Sequence, residues 1–139
     1  MKIVFLMMLG LSALMADFVK KGDTVLDSQS GLMWQDNSVV ESREMLYGEA
    51  NTYCKNLSLS GHDDWRLPAV EELQSILDLT RYEPAIQRGF HFTASDSYWS
   101  STLYADDADR AWDVNFMSGS TEHNRHSYDF FVRCVRGGK

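Results

Sequence analysis

Gly61-His62-Asp63-Asp64-Trp65-Arg66-Leu67-Pro68-Ala69-Val70-Glu71-Glu72-Leu73 is the segment from which the rest of the chain can be ordered. Trp65 to Pro68 reads as a joint leading into a helix. Pro68 suits the approach to a helix start, and Glu71 and Glu72 favour the positive end of the helix dipole. Val70, Leu73, Ile76 and Leu77 then form one apolar helical face. Upstream, Leu46, Ala50, Tyr53, Cys54 and Leu57 recur at helical spacing and predict a first helix over about residues 44–57. Ser58 to Gly61 ends it. Cys54 falls on the apolar stripe, so its sulfur is expected to face the core.

Outside this pair of helices the period changes. Thr24-Val25-Leu26-Asp27 and Leu32-Met33-Trp34-Gln35 are short β-prone runs, with turn chemistry at Ser28-Gln29-Ser30-Gly31 between them. They predict a hairpin. Asp36 to Glu44 is polar and without clear period, and reads as a loop. Trp112, Val114 and Phe116 alternate with Asp113 and Asn115, as a half-buried strand requires. Ser118-Gly119-Ser120 is a turn. Tyr128, Phe130, Val132 and Cys134 alternate with Asp129, Phe131, Arg133 and Val135, predicting a last strand whose core face carries the cysteine. Tyr98-Trp99-Ser100 reads as one more strand. The order of hairpin, two helices and antiparallel strands makes the chain α+β, with two helices packed on small antiparallel sheets.

The block at Gly61–Leu73, with Tyr98-Trp99-Ser100-Ser101-Thr102 and Phe131-Val132-Arg133-Cys134-Val135-Arg136, resembles the Lcl C-terminal domain family over roughly residues 23–136. The resemblance implies a C-type-lectin-like fold. It also implies adhesion to glycans, including sulfated ones, through a trimer. The family usually places Thr or Ser where this chain has Ala69. A hydroxyl there would complete a capping box with Glu72, so its loss is expected to cost the helix about 1 kcal/mol.

Met1-Lys2 followed by an apolar run from Ile3 to Met15 and Ala16 reads as a signal peptide over residues 1–16, leaving one domain at 17–139. No later run is long enough to cross a bilayer, so no transmembrane segment is expected after cleavage. The product is expected in the periplasm or outside the cell. The full chain has 13 Lys and Arg against 20 Asp and Glu, a net charge of −7. That balance argues against nucleic acid as a partner, although a local basic patch can still bind anions. The chain's two cysteines lack the spacing of a redox pair or zinc site. In an oxidising compartment they read as a structural Cys54–Cys134 disulfide.

Several residues carry candidate chemistry. Asp106, Asp107 and Asp109 crowd what reads as a loop and offer hard oxygen ligands to calcium, but without the order of an EF-hand loop. A solvated acidic loop is the preferred reading, and neither a metal nor another cofactor is assigned. Glu83-Pro84-Ala85 invites comparison with the Glu-Pro-Asn element of calcium-dependent lectins, but Ala85 has no side-chain oxygen. Glu122-His123-Asn124-Arg125-His126 reads as a polar loop, in which Arg125 can grip a carboxylate or sulfate and His123 and His126 can join when protonated. Arg110 extends that basic set. Trp99, with Tyr98 and Trp112, is a candidate for stacking on a sugar, against the commoner role of core filling. Arg66, Arg133 and Arg136 are expected to pair with carboxylates such as Asp63, Asp64 or Asp129. No nucleophile motif converges, so no enzyme is expected. The functional expectation is a non-catalytic binding module for a glycan or surface ligand. The alternative is an envelope accessory protein that binds an envelope or host-surface protein.

Overall fold

The computed structural model describes residues 17–138, so the leader read at residues 1–16 lies outside the described residues. In chain order the elements are β1 (Phe18–Lys21), β2 (Thr24–Asp27), β3 (Met33–Gln35), α1 (Val39–Ser42), β4 (Glu44–Met45) and α2 (Tyr47–Asn56). They continue with α3 (Val70–Ser75), β5 (Ser97–Tyr104), β6 (Asp107–Asn115), β7 (Thr121–Arg125), β8 (Phe130–Phe131) and β9 (Val135–Arg136). A four-stranded sheet has the order β1-β2-β3-β9, and a five-stranded sheet the order β4-β8-β5-β6-β7. The fold is α+β, and among the described residues no helix is long and apolar enough to cross a membrane.

The β2–β3 hairpin forms where its sequence places it. The Asp27 carboxylate accepts the amides of Gln29 and Ser30, and Gly31 takes the left-handed conformation (φ 75°) that closes the turn. The sequence reading missed β1, which pairs along its whole length with β2. Its Phe18 ring lies 5.4 Å from Phe90. Gly89 permits this approach, because a Cβ there would run into the Phe18 carbonyl.

Three expectations need correction. The first helix starts at Tyr47 rather than near residue 44, because Glu44 and Met45 pair with Phe131 and Phe130 of β8. Burial of Met45 in that pairing outweighs one more helical turn. The Asp36–Glu44 segment contains α1, whose Val40 is buried in the core. The last strand is split between the sheets: β8 lies parallel to β5 and β9 antiparallel to β3. Val132–Cys134 bridge the sheets, and Tyr128 is exposed instead of facing the core.

The five-stranded sheet separates two apolar cores. On one face Tyr98 and Val114 pack with Val70 and Leu73 of α3 and with Trp34 and Val25 of the other sheet. On the opposite face Trp99 and Ala111 pack with Ala50 and Cys54 of α2, and with Trp65, Leu67 and Val132. Cys54 and Cys134 form the disulfide read from sequence, with both residues fully buried. The Trp65–Pro68 joint belongs to both layers. Arg66 exchanges two backbone hydrogen bonds with Val135 of β9, and the Pro68 carbonyl accepts the Ser101 amide of β5.

Ala69 is the N-cap of α3 and has no hydroxyl to offer. Half of the capping box nevertheless survives, because Glu72 accepts the Ala69 amide at 2.8 Å. The missing hydroxyl comes from another element: Thr102 of β5 accepts the Val70 amide at 3.0 Å through its Oγ1. The deficit expected from sequence is therefore offset by a long-range cap. Thr102→Val keeps the shape and removes the acceptor. It should cost about 1 kcal/mol in urea denaturation, and an unchanged midpoint would show that the contact contributes nothing.

The three arginines find mostly different partners from those expected. Arg136 pairs with Asp64, as read from sequence, at 2.6 Å. Arg66 pairs with Glu72 in the first turn of α3 instead of with Asp63 or Asp64. Arg133 is buried against Asp36 instead of meeting Asp129. Asp36 also accepts Lys20 Nζ at 2.7 Å and the amides of His91 and Phe92. Burial pushes the Asp36 carboxyl up, but the Lys20 hydrogen bond, the two amides and the Arg133 charge overcome it. The carboxyl is held below its ordinary range.

Candidate functional site

β5 and β6 are joined by a two-residue turn at Ala105-Asp106, and β7 lies beside β6 at the sheet edge. The β6–β7 register sets Arg110 opposite Arg125, Trp112 opposite His123 and Val114 opposite Thr121. Residues directly opposite in an antiparallel pair project from the same face. Arg110, Trp112, His123 and Arg125 therefore share the face that further along carries Tyr98 and Val114.

Tyr104, at the end of β5, completes the group. His123 stacks flat on Tyr104, with ring centroids 3.8 Å apart and planes 5° from parallel. Trp112 meets both edge-on, at 5.5 Å from Tyr104 and 5.1 Å from His123. Arg110 Nη1 lies 3.4 Å from His123 Nδ1, and Arg110 Nε lies 3.7 Å from Asp107 Oδ2. Tyr104, Arg110, Trp112 and His123 are half-buried, while Arg125 is exposed. The result is an aromatic platform with two guanidinium groups along it. Stacked rings offer an apolar, polarisable surface, and guanidinium groups grip carboxylates and sulfates through paired N–H bonds. The sequence reading missed Tyr104. Its signal is visible only after the two-residue hairpin turn is known, because the turn fixes which side chains meet.

The other candidates do not join this group. Trp99 is wholly buried and donates its indole N–H to the Met45 carbonyl at 2.9 Å. It fills the core and presents no face to a sugar, so the stacking expectation is corrected. Tyr98 is likewise buried, with its hydroxyl donating to the Val40 carbonyl. Of the three, only Trp112 retains exposed surface. Asp106 sits in the turn, while Asp107 and Asp109 belong to β6, so the acidic run is not the loop it resembles. Asp107 Oδ1 accepts the Asp109 amide, and the Asp109 carbonyl accepts the His126 amide. Among the described residues no three His, Cys, Asp or Glu side chains converge as a metal site. Ala85 is buried and ties its backbone to the Phe116 carbonyl.

The Glu122–His126 run is also strand for most of its length, not a loop. Alternation splits it: His123 and Arg125 face the platform, while Glu122 faces the other way, opposite Asp113. His126 lies with Tyr47 of α2, ring centroids 4.0 Å apart, and its buried Nε2 has no partner. The proposed basic set of Arg110, His123, Arg125 and His126 is thus reduced to its first three members.

A groove of about 620 Å³ runs along α2 between Arg43, Tyr53, Asn56 and Leu57, and holds none of the sequence candidates.

The profile of the Lcl C-terminal domain matches residues 23–136, from the turn before β2 to the end of β9. The chain belongs to the Lcl C-terminal domain family. The match spans both sheets except β1, all three helices, the disulfide and the platform. Membership places the chain with a family of extracellular proteins. No curated protein matches it.

Proposed function

We propose that this Lcl C-terminal domain is a non-catalytic binding module with a C-type-lectin-like fold, exported to the periplasm or beyond, that recognises an acidic glycan. The Tyr104–His123 stack with Arg110 and Arg125 beside it is the observation that carries the reading. The rings supply a stacking surface for a sugar, and the guanidinium groups supply donors for its carboxylate or sulfate. The acidic remainder of the chain, with net charge −7 overall, confines anion binding to this local patch.

The test is an array of sulfated, carboxylated and neutral glycans probed with the disulfide-bonded protein at two salt concentrations, with and without calcium. Binding to an acidic class that weakens with salt is expected. Arg110→Ala with Arg125→Ala should weaken it by at least about tenfold, since charge-assisted hydrogen bonds to each guanidinium contribute about 1.5–3 kcal/mol. The melting temperature of that variant should stay near that of the parent. Retained affinity in the double variant would sink the reading.

A protein partner is the second reading, and a separate surface favours it. Leu79 is 75 % exposed, Tyr82 79 % and Met117 51 %. Leu79 packs its methyl against the open face of Gly119, which brings the 78–84 loop beside the 116–119 turn. Large apolar side chains exposed on a loop and on the turn beside it suit a protein contact. One stoichiometric envelope partner in a pull-down, lost on Tyr82→Ala and unaffected by the arginine substitutions, would favour this reading over the first.

A further inference from the structure

The face of β6–β7 opposite the platform holds a carboxylate that the binding reading does not use. Asp113 is 1 % exposed. Its Oδ2 accepts Asn124 Nδ2 at 2.7 Å, across to β7. Its Oδ1 is buried without a hydrogen-bond partner. Directly opposite on β7 stands Glu122, and like charges facing each other across a sheet repel. From β5, Asp113 meets Trp99 in register and Ser97 one rung along, neither of which carries charge. Glu122 is the one charged group among the described residues that acts on it.

We propose that Asp113 is a proton-dependent latch between β6 and the edge strand β7, closed when the carboxyl is neutral and loosened when it ionises. The neutral carboxyl keeps the Asn124 bond, gains an O–H that can donate from the orphaned side, and no longer repels Glu122. The ionised carboxylate leaves an unpaired charged oxygen buried beside a second carboxylate, which is costly. Burial foremost, opposed by the Asn124 bond and more weakly by the Ser97 hydroxyl and reinforced by the Glu122 charge, pushes the Asp113 carboxyl up to about 6. A folded-state value raised above that of the unfolded chain means that the folded form binds the proton more tightly. The stabilisation is therefore complete in acid and is lost as pH rises through about 6. His123 and Arg125 sit on the same strand, so the latch also sets how firmly the platform is held; that link rests on the proposed function.

Hydrogen exchange of the β7 amides in the disulfide-bonded protein at pH 5 and pH 8, corrected for intrinsic rates, tests the latch without any ligand. Protection in the parent protein should be about tenfold lower at pH 8. Asp113→Asn, which cannot ionise, should give pH-independent protection at pH 8 no lower than that of the parent at pH 5. Glu122→Gln should move the midpoint to lower pH, and it decides the matter if Asp113→Asn does not fold. A flat response in the parent, an unaltered response in Asp113→Asn, or an unmoved midpoint in Glu122→Gln overturns the proposal. Failure here leaves the glycan array untouched, so the two ideas fail separately.

Discussion

Arg133→Met is expected to cost 3–5 kcal/mol, roughly the penalty for removing one partner of a buried ion pair. Arg133 is 1 % exposed and holds four acceptors from two parts of the chain, residues 35–36 and 92–93. Nη1 donates to the Gln35 carbonyl at 2.6 Å and to Asp36 Oδ1 at 3.1 Å. Nη2 donates to Thr93 Oγ1 at 2.8 Å and to the Phe92 carbonyl. The guanidinium plane also lies 4.8 Å from the centre of the Phe90 ring. Methionine keeps much of the volume but leaves these acceptors buried and unpaired, and leaves Asp36 with Lys20 as its remaining cation. Arg133→Lys should fail almost as badly, because one ammonium cannot reproduce a planar fork that reaches several directions. A domain of this size has about 5–15 kcal/mol of stability in all, so a marginally folded or insoluble product is the expected phenotype. Guanidinium denaturation of the Arg133→Met protein measures it, and a loss under about 1 kcal/mol would show that the network is not the tie it resembles. The same hub predicts acid sensitivity. Asp36 is held below its ordinary range, so its contribution is present above the unfolded carboxylate value near 4 and disappears as pH falls through the lower folded value.

The contrast between Arg133 and Val114 shows what the sequence can disclose. Val114 lies in a run whose period of two is visible over five residues, and it is buried in the strand that the period implies. Arg133 lies in an equally regular run, but its side chain turns to a carboxylate 97 positions away, which no local pattern signals. The two-residue strands β4, β8 and β9 are hidden for a related reason: two residues have no period, and long-range pairing alone defines them. The binding face repeats the lesson. The sequence names Arg110, His123 and Arg125, but it reads residues 122–126 as one loop and so groups His123 with Glu122 and His126. Once the run pairs as a strand, alternate residues belong to opposite faces. Tyr104 was invisible and Trp99 overvalued for the same cause: hairpin register and sheet face decide which aromatic is exposed.

Reducing the Cys54–Cys134 bond should lower stability by about 4 kcal/mol, the loop-closure value for two points some 80 residues apart. The bond ties α2 to the bridge between β8 and β9, and its loop encloses α3, β5, β6, β7 and β8. Reduction of the parent protein is the cleaner measurement. Replacing both fully buried cysteines with alanine would add a cavity cost, and serine would bury two hydroxyls. The expected fall in melting temperature is on the order of 10–20 °C, with both apolar cores still formed at low temperature. A shift of less than a few degrees would mean that core packing alone fixes α2 to the tail. Arg133 is the immediate neighbour of Cys134, and both anchor the same bridge between the two sheets. Losses at neighbouring positions do not add. Once reduction frees the bridge, the acceptors around Arg133 can reach water by local opening, so Arg133→Met should cost less in the reduced protein than in the oxidised one. Full additivity in that double comparison would show that the disulfide and the buried guanidinium hold the tail independently.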